Sequence, residues 1–275
     1  MISLLDFDFM RRALVAAALV GLIAPLVGVF LVQRRLALLG DGMGHVALTG
    51  VGLAFLVGSA PIPTAMATAV IGAFLIEFIR YRSRTAGDVA LALLFYGGIA
   101  GGVMFASLAP GKASSSLNAY LFGSLSTVAE SDVWALVILC VGVVAVVAVL
   151  GRELFAVSLD PDIAAVQGIR VRVLSTLMAV LAAVVVVVGM RVVGLLLVSA
   201  IMIVPVAAAQ QVTRSFRATA ALAIVLGLFA SISGLVGSFY VEVPPGPTIV
   251  IVALASFAVL AMIAVPIRRQ RREVT

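Results

Sequence analysis

The sequence predicts an all-α protein, a polytopic integral membrane bundle of about eight to nine transmembrane helices. Three observations predict it. Of 275 residues, 64% are hydrophobic and 11% charged, against about half and about a quarter in a soluble domain. The mean hydropathy of +1.29 is too high for a globule to cover itself with polar surface. The apolar residues fall in runs of about 20, the length a spanning helix needs, without the alternation of a membrane strand. No stretch leaves room for a separate soluble domain, so residues 1–275 read as a single transmembrane domain.

The elements follow in order. The run at 11–32 is long, follows Asp6 and Asp8, and lacks a small-x-small cleavage site, so it reads as a span and not as a removed signal. The next run covers 43–60, and Pro61 and Pro63 mark a tight turn before 62–79. The run at 86–109 ends where Pro110, Gly111 and the Ser114-Ser115-Ser116 stretch open a loop. Glu130 and Asp132 read as caps of the run at 131–150. Runs 172–190 and 192–210 are divided only near Gly189, Met190 and Arg191, so they are two spans or one re-entrant element. Runs 217–239 and 247–267 are divided by Pro244, Pro245, Gly246 and Pro247. Pro205, inside "IMIVPVAAAQQ", removes a backbone donor and predicts a kink beside a pathway.

The charges set the orientation. With nine alternating spans, Arg34, Arg35, Arg80, Arg82, Arg84, Arg152, Arg170, Arg172, Arg214, Arg217 and the Arg268–Arg272 tail share one side. The positive-inside rule makes that side cytoplasmic, with the N-terminus outside and the C-terminus inside. With eight spans both ends are inside. The net charge of +6 therefore marks loops and not a nucleic-acid surface. Glu77 and Asp88 are expected to pair with Arg80, Arg82 or Arg84, and Arg191 to snorkel at an interface. The lone Cys140 excludes an internal disulfide and a cysteine metal cluster.

One short stretch carries chemistry. "GDGMGH" sets Asp41 four residues before the chain's only histidine, His45. On a helix that spacing puts carboxylate and imidazole on one face, a pair suited to a divalent transition ion. Two ligands leave the shell to be completed by waters or other residues. The same residues also read blandly, with Asp41 as the N-cap of the second span and His45 as neutral packing. A second stretch is polar: 152–172 is the longest cytoplasmic segment. Asp160-Pro161-Asp162 opens a short helix there, with Pro in the first turn and acids at the positive end of the dipole. Gly168 stops it. That helix is either a connector or a knob that docks a partner.

Several chemistries are missing. There is no P-loop, since "APGKASSS" lacks the upstream glycine and the following Ser/Thr. There is no HExxH, no GxSG and no nucleophile set. The chain is read as not an enzyme.

Five segments together resemble the membrane permease of bacterial zinc/manganese ABC importers. They are "RRLALLGDGMGHVALTGVGLAF", "LNAYLFGSL", "DPDIAAVQGIRV", "VVGLLLVSAIMIVPVAAAQQ" and "VPPGPTIVI", in that order. Val206 stands where the family usually has Ala, and Val46 follows the histidine in place of Ala. The resemblance implies a homodimeric permease of the bacterial cytoplasmic membrane that moves zinc or manganese as its substrate. No cofactor is bound permanently. A separate ATPase would dock at the coupling helix, involving Asp160, Pro161, Asp162, Ala164, Ala165 and Gly168. An extracellular protein would deliver the ion. Asp41 and His45 would face the pathway and contact the metal. The charge placement puts Asp41 near the cytoplasmic interface. A proton-driven secondary transporter with Asp41/His45 as a relay, or a membrane scaffold or sensor, are the other readings.

Overall fold

A computed structural model describes residues 7–82, 87–110, 119–123, 128–190 and 193–272. Every regular element among them is helical: α1 (Asp8–Gln33), α2 (Ala37–Val57), α3 (Pro61–Arg82), α4 (Gly87–Leu108), α5 (Glu130–Leu159), α6 (Pro161–Val166), α7 (Val171–Gly189), α8 (Leu195–Val212), α9 (Phe216–Val241) and α10 (Pro245–Arg272). In lipid the backbone must satisfy its own polar groups, and a helix does so within one segment. Eight of these helices are long and apolar enough to cross a membrane: α1 to α5, α7, α9 and α10. The remaining long helix, α8, is also apolar and at 18 residues is one shorter than α7.

The helices alternate in direction, and side-chain contacts fix their ends. At one end Phe7 of the α1 entry stacks near Phe239 of α9, and Phe55 of α2 meets Tyr120. At the other end Phe216, which opens α9, meets Phe30 of α1 and Phe155 of α5. There Arg34 also donates to Ser175 of α7 across 2.9 Å, and the Arg172 guanidinium lies over the Tyr81 ring. That second end holds the arginines of the α1–α2, α5–α7 and α8–α9 connections, so it is cytoplasmic by the positive-inside rule. The chain thus enters α1 from outside and leaves α10 inside, as the nine-span alternation expects. The doubtful pair resolves into two helices, α7 rising and α8 returning, joined through Gly194 at φ +94°. Only glycine takes that angle at no steric cost. The single helical turn at 119–122 ends directly on Gly194, through the backbone of Leu121, Phe122 and Gly123.

Burial divides the bundle. α1 and α2 are mostly enclosed, whereas α5 and α10 are largely bare in the single chain. α8 lies inside, packed on α1, α2, α9 and α10. Small residues let backbones approach without a hydrophobic drive between helices. A Cβ on Gly21 would fall 2.7 Å from the carbonyl oxygen of Gly227, so α1 and α9 cross in near-backbone contact.

The sequence expectations need some correction. The second span begins at Ala37, not 43, and the fifth runs to Leu159, not 150. Hydropathy ends a run at the first charges, but the hydrogen-bond ladder continues past them. Pro61 and Pro63 do not form the turn. They sit in the first turn of α3, after Gly58 at φ +71°, where a missing N–H costs nothing. Asp132 accepts a hydrogen bond from the Ala129 N–H at 2.9 Å, as a cap should. Glu77 pairs with Arg80. The side chain of Asp88, and Arg84, Lys112, Ser114–Ser116 and Arg191, lie outside the described residues.

Candidate metal site

The site grows from the entry into α2. Arg35 takes a positive φ of 59° and the Leu36 N–H donates to the Leu31 carbonyl, which turns the chain sharply into α2. Leu36, not Asp41, is the N-cap. The capping alternative for Asp41 is therefore wrong, because the helix starts a full turn earlier. Asp41 and His45 lie one turn apart inside the helix, as their spacing requires.

His45 Nε2 stands 3.8 Å from Asp41 Oδ2. That is too long for a hydrogen bond. Two ligands about 2.1 Å from one tetrahedral ion sit about 3.4 Å apart, so a small side-chain rotation would let both reach a shared cation. The two groups differ in exposure. The His45 side chain is 7% exposed and that of Asp41 31%. The imidazole is thus lodged in the packing while the carboxylate is partly exposed. His45 Nδ1 is buried and meets no hydrogen-bond partner among the described residues.

Two other helices close the site. From α8, Ser199 Oγ donates to Asp41 Oδ1 at 3.3 Å. From α4, the Phe95 ring sets its edge against the imidazole, with centroids 4.1 Å apart. α4 comes this close through Gly98, where a Cβ would fall 2.6 Å from the His45 carbonyl carbon and oxygen. Neither Ser199 nor Phe95 was found by sequence reasoning. Ser199 is 158 residues from Asp41. Its only signal was a hydroxyl in an otherwise apolar run.

Depth follows from the neighbours of α8. Gly28 of α1 faces Met202, Met202 faces Gly40, Ser199 bonds Asp41, Leu195 faces Gly44, and Val198 meets Gly189 beside Val20. The pair therefore lies abreast of the middle of α1, not at the cytoplasmic interface as charge placement implied. The Arg34–Leu36 turn lifts the start of α2 alongside α1, which hydropathy cannot show. Pro205 is buried within α8, six residues or about 9 Å of helix beyond Ser199 toward the cytoplasmic end. The helix continues through it. Among the described residues no three His, Cys, Asp or Glu side chains cluster as a metal shell.

The cytoplasmic segment forms the short helix α6. Asp160 Oδ1 accepts from the N–H groups of Asp162 and Ile163 at 2.9 and 3.0 Å, and Pro161 occupies the first position. At the far end Gly168, at φ +81°, allows Ile169 N–H to reach Ala164 O and Gly168 N–H to reach Ala165 O, a glycine-closed helix end. The predicted face divides. Ala164 is 1% exposed and packs into a core with Leu154, Val157 and Leu174, whereas Ala165 is exposed. Ile163 at 57% and Val166 at 89% exposure join Ala165 outside. Sequence reasoning named neither.

A family model described as the ABC 3 transport family matches residues 6–265. The chain is similar to the manganese transport system membrane protein MntC of Listeria innocua serovar 6a, at 30% identity over 262 residues, covering 95% of this chain and 93% of that protein. It is similar to the manganese import system permease protein ScaB of Streptococcus parasanguinis, at 32% identity over 269 residues, covering 98% and 95%. Among solved structures it resembles PsaBC from Streptococcus pneumoniae in complex with Fab, with a TM-score of 0.83 and 28% identity, covering 94% of this chain and 92% of that one.

Proposed function

The chain belongs to the ABC 3 transport family, and from that premise we propose that it is the permease subunit of an importer of divalent manganese or zinc. It is a multi-pass protein of the cytoplasmic membrane, and the ion is its substrate. The relatives' names favour manganese. A carboxylate and an imidazole accept either metal, and geometry and supply decide between them. The observation that carries the reading is the mid-bundle pair, His45 Nε2 and Asp41 Oδ2 at 3.8 Å, with the carboxylate partly exposed. Ser199 holds the other carboxylate oxygen. Waters complete the shell, which suits an ion in transit better than one held as part of the structure.

Hydrolysis of ATP belongs to separate subunits, since the sequence has no P-loop. They dock on the exposed face of α6, at Ile163, Ala165 and Val166. The rigid caps at Asp160 and Gly168 transmit their motion through α7 to the bundle. A second copy of the chain completes the pathway, and an extracellular binding protein delivers the ion. Alternating access then exposes Asp41 and His45 to each side in turn.

Uptake of radioactive manganese and zinc by Asp41→Ala and His45→Ala variants tests this. Variants that insert and assemble normally should lose uptake at least about tenfold, which corresponds to about 1.4 kcal/mol of lost ion binding. Wild-type uptake in both sinks the role of the pair.

A further inference from the structure

We propose that the cytoplasmic mouth between α1, α5 and α9 is a binding groove for an anionic glycerophospholipid of the inner leaflet. This goes beyond the transport reading and does not involve the Asp41–His45 site.

The groove encloses about 650 Å³, within the range of pockets that hold drug-sized ligands. Its body is aromatic: Phe30, Phe155 and Phe216 come from the three helices, with ring centroids 5.2 and 4.6 Å apart. Gly151 leaves one wall without a side chain. Arg152 and Arg217 stand at the rim, both exposed. Neither guanidinium has a hydrogen-bond or ion-pair partner among the described residues. Glu153 follows Arg152 in the chain but does not line the groove. The site thus offers apolar walls to an acyl chain and two free guanidinium groups to a phosphate. Guanidinium groups bind phosphate oxygens in a fork and carry less hydration than an ammonium.

Depth selects the lipid over the ATPase. Phe30 lies four residues before Arg34, about 6 Å along α1. Gly151 lies eight residues before the end of α5, about 12 Å from the start of α6. The groove is therefore at headgroup level, and the docking face of α6 projects beyond it. Basic pockets between helices on the cytoplasmic side are where anionic headgroups bind.

The test uses the full chain extracted in a non-denaturing detergent and native mass spectrometry. Phosphatidylglycerol and phosphatidylcholine with identical acyl chains are added in separate arms. The wild type should retain phosphatidylglycerol about tenfold over phosphatidylcholine. Arg152→Gln/Arg217→Gln should bring that ratio close to one, and Arg152→Lys/Arg217→Lys should keep most of it. Both arginines are exposed, so these variants leave the packing intact, and a thermal melt verifies folding. Equal retention of the two lipids by the wild type, or an unchanged preference in the Gln variant, overturns the proposal. Displacement of phosphatidylglycerol by inorganic phosphate also overturns it, because the groove would then hold a free anion. Cross-linking of Ser215→Cys to an ATPase subunit in native membranes overturns it as well, by putting protein where lipid belongs.

Discussion

Ser199 restrains one oxygen of Asp41 and leaves the other facing His45. At the proposed ion site its hydroxyl would aim the carboxylate, so its removal should weaken ion binding without ending transport. A hydrogen bond of this kind contributes about 1 kcal/mol. Ser199→Ala should therefore raise the KM for ion uptake about fivefold and leave the maximal rate nearly unchanged. Uptake curves at varied manganese separate the two quantities. Gly98 acts by having no side chain. In Gly98→Ala the new Cβ would press on the His45 backbone 2.6 Å away. Overpacking of that kind costs about 1–3 kcal/mol or moves α4. The expected result is a lower melting temperature in detergent and reduced uptake, read by a fluorescence melt and by transport. A melt equal to wild type would show that α4 yields more easily than its packing implies.

At the scale of the element, α6 is six residues long and cannot hold itself together by propensity, because isolated short helices are marginal. Its two caps and the burial of Ala164 hold it. Asp160→Ala removes two accepted hydrogen bonds, at a cost of about 1 kcal/mol. Stimulation of a partner ATPase should fall while the bundle stays folded. The two faces of α6 predict opposite phenotypes. Val166→Asp alters only exposed surface and should abolish coupling with normal folding yield. Ala164→Asp buries a charge against Leu154 and Leu174 and should reduce the yield itself. Gel filtration and ATPase assay on both variants check this. The same phenotype in both would remove the distinction between the faces. α8 shows a different lesson. At 18 residues it is one residue shorter than α7, yet it is the central helix, packed on α1, α2, α9 and α10.

For the whole molecule, direction alternates through nine apolar helices among the described residues. Cysteine labelling tests the topology. In a Cys140→Ala background, Ser59→Cys lies at the exposed α2–α3 turn and Ala165→Cys on α6. A membrane-impermeant maleimide should label the first in intact cells and the second only after the membrane is opened. The reverse pattern would invert the bundle. Much of this architecture was legible in the sequence. Apolar run length fixed the class, because lipid admits no spanning backbone that fails to satisfy itself. Local chemistry fixed α6, because Asp160, Pro161 and Gly168 act on neighbours within a few residues. The i, i+4 spacing put Asp41 and His45 on one face for the same reason. What only the tertiary structure decided depends on contacts distant in the chain. Ser199 reaches Asp41 from α8, Phe95 reaches His45 from α4, and the turn at Arg34–Leu36 sets the depth of the pair. Hydropathy reports what each segment prefers as its surroundings. It does not report which segment supplies them, and the proposed ion site is made of that choice.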